Sequence, residues 1–128
     1  MTRFMKAGIA VLVGAGIGAA SMQTMQAQSK PPAFVIAEVD VINQDAYMKE
    51  FLPARAKAIA DSGGRYIVRG GQPRAVAGQP PAGRVIVVQF DSFDQLTAFI
   101  ESAGFKNSQV IGEKYANIRI YGVEGVLK

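Results

Sequence analysis

The chain of 128 residues contains no cysteine and no histidine. It therefore has no thiolate nucleophile, disulfide, imidazole base, zinc-finger ligand set or histidine-bound haem. The formal net charge of +4 falls to +2 without Arg3 and Lys6, and no basic stripe remains of the kind that nucleic-acid binding requires. With no histidine or cysteine and no D-x-D-x-D spacing among the carboxylates, no metal is expected. No other cofactor is predicted. A chain of this length holds one domain.

Residues 1–27 have the three-part order of a secretory signal peptide: a basic start, an apolar stretch and a polar tail rich in small residues. The apolar stretch, residues 7–20, has 14 residues, whereas spanning a bilayer takes roughly 20. We expect cleavage after Ala27, with residues 19–21 as the alternative site. The product is then periplasmic or secreted and keeps no stable membrane anchor. The alternative is an uncleaved anchor.

Residues 28–32 are interpreted as a linker, and residues 33–126 alternate strand and helix patterns. Period-two runs predict strands at residues 33–41, 65–69, 84–90 and 117–123. Asn43 is expected to cap a first helix, which Pro53 interrupts and Ser62-Gly63-Gly64 ends. A second helix is expected to begin at the Ser92–Gln95 capping box and to end at Gly104. A short extra helix is predicted over residues 105–115. The order β-α-β-β-α-β predicts an α+β, ferredoxin-like domain, with helices on one face of a four-stranded antiparallel sheet.

Strand periodicity also predicts which residues share a face of that sheet. The helix-covered face is expected to carry Val35, Ala37, Val39, Tyr66, Val68, Ile118 and Ile120. The opposite face then carries Phe34, Ile36, Glu38, Asp40, Arg65, Ile67, Arg69, Val85, Val87, Gln89, Arg119 and Tyr121. A large apolar surface usually marks an interaction site, so we expect a homodimer, a dimeric α+β barrel made by an isologous contact. The alternative is a monomer whose open face is solvated.

Arg65 and Arg69 are the candidate ligand-binding residues with the clearest pattern. Being four apart on a strand, they are expected on one face, roughly 13 Å apart, together with Glu38 and Asp40. Arginine offers a fork of donors that matches a carboxylate. Two interpretations stay open: an ion-pair network inside the dimer, or a pocket for an anionic ligand.

The remaining candidate residues are two tyrosines, a glutamine and a carboxylate. Gln89 and Tyr121 are expected beside the arginines as further ligand contacts. Asp40 and Tyr47 are the candidate catalytic residues, although nearby arginines would lower the pKa that an acid–base Asp40 needs raised. Tyr47 is either a core residue or a proton donor. Gly70-Gly71 lacks the phosphate-loop spacing and is interpreted as a strand bulge.

Several segments resemble a bacterial family catalogued as domain of unknown function 1330, within the dimeric α+β barrel superfamily. They are VDV at residues 39–41 with Tyr47, GGRYIVRGG at 63–71, VVQFDSFDQL at 87–96 and YGVEGV at 121–126. The resemblance implies a ferredoxin-like homodimer and no established reaction. Two departures remove proton-transferring groups: Gln89 stands where the family commonly has Glu, and Ser102-Ala103-Gly104-Phe105 replaces a Ser-Pro-Glu-Tyr-like segment.

Three functions follow as hypotheses. The first is an exported homodimer that binds a small anionic or polar-aromatic molecule. The second is a cofactor-independent isomerase or monooxygenase-like enzyme that works through Asp40, Tyr47 and the arginines. The third is a structural or stress-related dimer without a ligand. Fold analogy alone does not choose among them.

Overall fold

The structure, a computed structural model, describes residues 30–127, of which Pro31–Val126 form one compact unit. The predicted signal peptide and the first two residues of the predicted linker, 28 and 29, lie outside the described residues. Within residues 30–127, no helix combines the length and the apolar character that a membrane crossing requires.

Four strands form one antiparallel sheet in the order β2-β3-β1-β4. Their bounds are Ala33–Val41 for β1, Arg65–Gly71 for β2, Arg84–Phe90 for β3 and Ala116–Glu124 for β4. The helices are α1, Leu52–Asp61; α2, Phe93–Glu101; and α3, Ala103–Tyr115. The predicted β-α-β-β-α-β order is confirmed, and α3 is the expected extra helix.

The first helical region changes its hydrogen-bond pattern before Pro53. It begins as one turn, Gln44–Ala46, capped by the Asn43 side chain, which accepts a 3.2 Å hydrogen bond from the Ala46 N–H. It continues as a π-helical segment, Tyr47–Phe51, in which the Leu52 N–H reaches the Tyr47 carbonyl. Because Pro53 has no N–H, the α-helical ladder cannot run through this point. The predicted interruption therefore takes the form of a π-helical segment.

The junction between α2 and α3 differs from the prediction. Gly104 was expected to end α2, but it lies in the first turn of α3. The break is at Ser102, whose extended backbone stops α2 and whose hydroxyl caps α3 by accepting a 3.2 Å hydrogen bond from the Phe105 N–H. One serine thus both ends a helix and begins the next.

The core has two parts, both on the helix-covered face of the sheet. Every second residue of β1 from Ala33 to Val39 is buried, as the alternation predicted. The first cluster consists of Ala33, Val35, Ala58, Ile59, Val88, Phe90, Leu96 and Phe99. The second consists of Ala37, Val39, Tyr47, Phe51 and Ala116. The region where the two clusters meet holds the candidate site.

Candidate functional site

A bulge in β2 decides which arginines can share a site. Tyr66 is opposite Val88 and Arg69 is opposite Ile86, so three steps along β2 correspond to two steps along β3. The extra residue reverses the side-chain alternation on β2. Arg69 therefore projects from the helix-covered face, as Tyr66 does.

The expectation that Arg65 and Arg69 share a face is thus wrong. Arg65 precedes the bulge and is opposite Gln89, on the open face of the sheet. The expectation that Val68 packs under the helices is wrong for the same reason, since Val68 is opposite Val87 on the open face.

A second irregularity follows at Gly70, between Arg69 and Gly71. Gly70 has a φ of +72°, a left-handed conformation that glycine adopts without strain. Its carbonyl accepts a 3.0 Å hydrogen bond from Nη1 of Arg84, the first residue of β3. The double glycine is a strand bulge, as predicted, and it is tied to a second arginine.

A cavity of about 350 Å³ lies between the sheet and the helical region formed by the π-helical segment and α1. Its apolar lining includes Val35, Ala37, Phe51, Ile59, Ile86 and Val88, drawn from both core clusters and their margins. Its cationic and hydroxyl-bearing lining residues are Arg55, Arg69, Arg84, Tyr47 and Tyr66. Among the described residues, no aspartate or glutamate lines it.

Arg55 is the most unusual residue of the cavity because it is a buried cation, 7% exposed. Nε donates to the Ser108 hydroxyl at 2.9 Å and Nη2 donates to the Gln109 side-chain oxygen at 2.6 Å. The guanidinium carbon lies 4.9 Å from the Phe51 ring centre and 4.6 Å from that of Phe105. Burial lowers the pKa of Arg55 to about 10. It therefore carries a positive charge at neutral pH.

That guanidinium has no counter-charge beside it in the part of the chain that the structure describes. Within residues 30–127, no carboxylate oxygen lies within 4.0 Å of Arg55. Its two side-chain partners are a neutral hydroxyl and a neutral amide. Arg55 is consequently fixed in position by α3 and lies against two aromatic rings, but it has no carboxylate partner among the described residues.

The two cavity tyrosines are neutral at pH 7. Burial raises the pKa of the Tyr47 hydroxyl, and burial likewise raises the pKa of the Tyr66 hydroxyl against the opposing charges of Arg69 and Arg55. The guanidinium carbon of Arg69 lies 4.5 Å from the Tyr66 ring centre. Both hydroxyls can donate a hydrogen bond to an anion, and both are weak bases at neutral pH.

The structure divides the predicted site residues between the two faces of the sheet. Arg69 and Tyr47 line the cavity, while the open face carries the other five: Glu38, Asp40, Arg65, Gln89 and Tyr121.

Within a single chain, Glu38 and Asp40 do not pair with Arg65 or Arg69, and Arg69 lies on the other face of the sheet. Glu38 pairs with Arg119 at 3.4 Å, because the two are directly opposite on β1 and β4. Arg65 pairs with Asp91 at 3.2 Å. Asp40 is exposed near the end of β1 and does not line the cavity, so the structure does not bring it together with Tyr47.

Three cavity residues escaped the sequence analysis as site residues: Arg55, Tyr66 and Arg84. Arg55 follows Phe51 by four residues and precedes Ile59 by four, so it lies on the apolar stripe of its helix. A charged residue in such a stripe is a signal that could have found it. Tyr66 was correctly predicted to face the helices, although no role was assigned to it.

A family model described as "Domain of unknown function (DUF1330)" matches residues 32–126. No curated protein matches the chain.

Several solved structures share the fold. A protein of unknown function from Rhodopseudomonas palustris has a TM-score of 0.57 at 14% identity, covering 82% of this chain and 92% of its own. SnoaB, a cofactor-independent oxygenase from Streptomyces nogalater, has a TM-score of 0.53 at 11% identity, covering 77% and 96%. A conserved protein of unknown function from Bacteroides thetaiotaomicron, described as a possible oxidoreductase, has a TM-score of 0.50 at 17% identity, covering 75% and 99%. At these identities the likeness is one of fold.

Proposed function

The chain belongs to the DUF1330 family over residues 32–126, and because the family description names no reaction, we propose from the cavity that the domain binds a small organic anion. One observation carries the proposal: Arg55, a buried guanidinium without a carboxylate partner among the described residues, lines the cavity. Arg69 and Arg84 add positive charge to the same lining.

The energetic reason is the cost of burying an uncompensated charge. A buried cation without a counter-ion is unfavourable, and the two neutral partners of Arg55 replace only part of its hydration. A carboxylate in the cavity would supply the missing counter-charge through short, charge-assisted hydrogen bonds. The apolar lining would hold the body of the ligand.

A second candidate is a cofactor-independent enzyme of the kind that SnoaB represents. It is favoured by the presence of Tyr47 and Tyr66 hydroxyls in the same cavity as the cationic Arg55, since such donors stabilise a developing negative charge. It is disfavoured by the exposed position of Asp40 and by the raised pKa of both tyrosines, which keeps their hydroxyls protonated at neutral pH so that neither is available as a general base. Binding is therefore the better-supported function, and no cofactor is proposed.

Isothermal titration calorimetry with benzoate and benzamide tests the proposal. The two ligands have the same ring and nearly the same size, but only benzoate is charged. A hydrogen bond to a charged group contributes about 1.5–3 kcal/mol, so we expect benzoate to bind roughly 10- to 100-fold more tightly than benzamide. Equal affinities would remove the basis for an anion site. A lack of binding across a wider set of short-chain, alicyclic and aromatic carboxylates would favour the dimer without a ligand.

We further propose that the protein is a homodimer through the open face of the sheet. Apolar side chains that remain partly exposed there include Phe34, Ile36, Val68, Val87, Tyr121 and Val123. Both charge signs occur on the same surface, as in the pair of Glu38 and Arg119. A surface that carries both signs can be complementary to itself across a two-fold axis.

Export to the periplasm or the medium is also a proposal, supported by the order of basic, apolar and polar segments in residues 1–27. Mass spectrometry of the protein recovered outside the cytoplasm is expected to give an amino terminus at Gln28. A mature chain that still begins at Met1 would contradict cleavage.

A further inference from the structure

The cationic side chains that line the cavity come from two sides, one helical and one formed by the sheet. Arg55 projects from α1 and is fixed by its hydrogen bonds to Ser108 and Gln109 on α3. Arg69 and Arg84 project from the strand wall, where β2 and β3 approach their connecting loop. Arg55 is buried, whereas Arg69 and Arg84 are exposed. The cavity is thus positively charged both inside and at its mouth.

The two mouth arginines are held in place by neutral groups. Arg69 lies against the Tyr66 ring, and Arg84 donates to the Gly70 carbonyl. Neither has a carboxylate oxygen within 4.0 Å among residues 30–127. Both remain able to attract a negatively charged group of a ligand.

Tyr66 lines the cavity together with the inner cation, Arg55, and the outer cation, Arg69. Burial raises the pKa of its hydroxyl, and the charges of both Arg69 and Arg55 act in the opposite direction. The Arg69 guanidinium carbon lies 4.5 Å from the Tyr66 ring centre, and the cavity that Arg55, Arg69 and Tyr66 all line has a volume of about 350 Å³. A single small molecule passing Tyr66 can therefore meet the inner and the outer charge.

We propose that the ligand is a compact dianion, with an apolar body and an acidic group at each end. Arg55 takes the inner carboxylate, Arg69 and Arg84 face the outer acidic group, and apolar residues such as Val35, Ile59 and Ile86 surround the body. This inference rests on the proposed anion-binding function and deepens it by naming the ligand class. A volume of about 350 Å³ suits a body of one or two rings.

Calorimetry with terephthalate and its monomethyl ester tests whether a second negative charge on the ligand strengthens binding. The two probes share one ring and one carboxylate and differ in whether the other end is charged. Because the mouth arginines are exposed, their ion pairs are weak and screened by salt. We expect terephthalate to bind roughly 3- to 10-fold more tightly than the ester at low ionic strength, and added salt to reduce that preference.

Charge-removing variants locate the effect. Arg69→Gln combined with Arg84→Gln is expected to abolish the preference for terephthalate over the ester. Arg65→Gln, on the same strand as Arg69 but on the opposite face, is the matched control and is expected to keep the preference. Circular dichroism checks that each variant is folded. If the double variant does not fold, Arg69→Gln alone replaces it in the test and is expected to weaken the preference for terephthalate.

The outcomes separate the two proposals. If benzoate does not bind better than benzamide, the anion site itself is wrong. If benzoate binds as expected but terephthalate and its ester bind equally, the dianion is wrong and the anion site stands. Loss of the preference in Arg65→Gln would also overturn the dianion proposal, because it would place the second group on the open face.

Discussion

Arg55→Met is expected to weaken benzoate binding roughly 10- to 100-fold while changing the free energy of unfolding by no more than about 1 kcal/mol. Binding weakens because methionine has no donor or charge for the carboxylate. Most buried charges, when removed, leave a charged partner behind and destabilise the fold strongly. Among residues 30–127 the hydrogen-bond partners that Arg55 leaves behind, Ser108 and Gln109, are neutral, so that penalty does not arise.

The packing around position 55 explains why the free energy of unfolding of Arg55→Met is expected to change little. Methionine has nearly the length of the arginine stem and can lie between the rings of Phe51 and Phe105, where sulfur–aromatic contacts are favourable. Ser108 keeps its own hydrogen bond to the Phe105 carbonyl. The lost hydrogen bonds are offset by the removal of a desolvated charge.

Lys57→Met is the matched control, because Lys57 is on the same helix but exposed, in a pair with Asp61. It removes the same charge and should leave benzoate affinity unchanged. Chemical denaturation and calorimetry on both variants give the comparison. If Arg55→Met lost several kcal/mol of stability and retained benzoate affinity, Arg55 would be a structural residue rather than a ligand-binding one.

Val87→Arg is expected to convert the proposed homodimer to a monomer. Val87 lies near the middle of the open face, opposite Ile36 on β1 and Val68 on β2. In an isologous contact each copy contributes the same patch, so one substitution places two like charges near the two-fold axis. Each new charge also loses its hydration in the interface. Light scattering coupled to size exclusion should therefore give the mass of one chain.

Val110→Arg is the control for this variant, since Val110 is 59% exposed on α3, outside the sheet. We expect it to remain dimeric. Because the cavity lies on the helix-covered face, the monomeric Val87→Arg protein should still bind benzoate with an affinity within about threefold of wild type, a difference of less than about 1 kcal/mol. A wild-type protein with the mass of a single chain at micromolar concentration would contradict the dimer.

The sequence predicted the elements well because each depends on local patterns. The alternation in β1, the Asn43 cap and the Ser92 cap concern residues a few positions apart, and the structure shows all three. The sequence pattern predicts the end of α2 at Gly104, two residues after the observed break at Ser102. Glycine is a frequent helix end, but here the extended backbone of Ser102 decides the boundary.

The site was harder to predict because one bulge changes the alternation of a whole strand end. Counting by twos from Arg65 places Arg69 on the open face, and only the pairing of β2 with β3 shows otherwise. The role of Arg55 depends on what surrounds it after folding. Its stripe position is visible in the sequence, but the absence of a counter-charge among the described residues is a property of the packed helices α1 and α3.

The departures from the family pattern also gain meaning from the structure. Phe105 stands where the resemblance implies a tyrosine. Its ring packs against the Arg55 guanidinium and is edge-on to the Phe99 ring, with the two ring centres 5.1 Å apart. Gln89, where it implies a glutamate, lies on the open face opposite Phe34. One replacement therefore concerns the wall behind Arg55, and the other concerns the proposed dimer surface.

A crystal structure of the purified protein with bound benzoate tests the central claim most directly. We expect the carboxylate within hydrogen-bond distance of the Arg55 guanidinium, with the ring against the apolar lining between α1 and the sheet. Benzoate bound instead on the open face, beside Arg65 or Arg119, would contradict the assignment of the site to the helix-covered cavity.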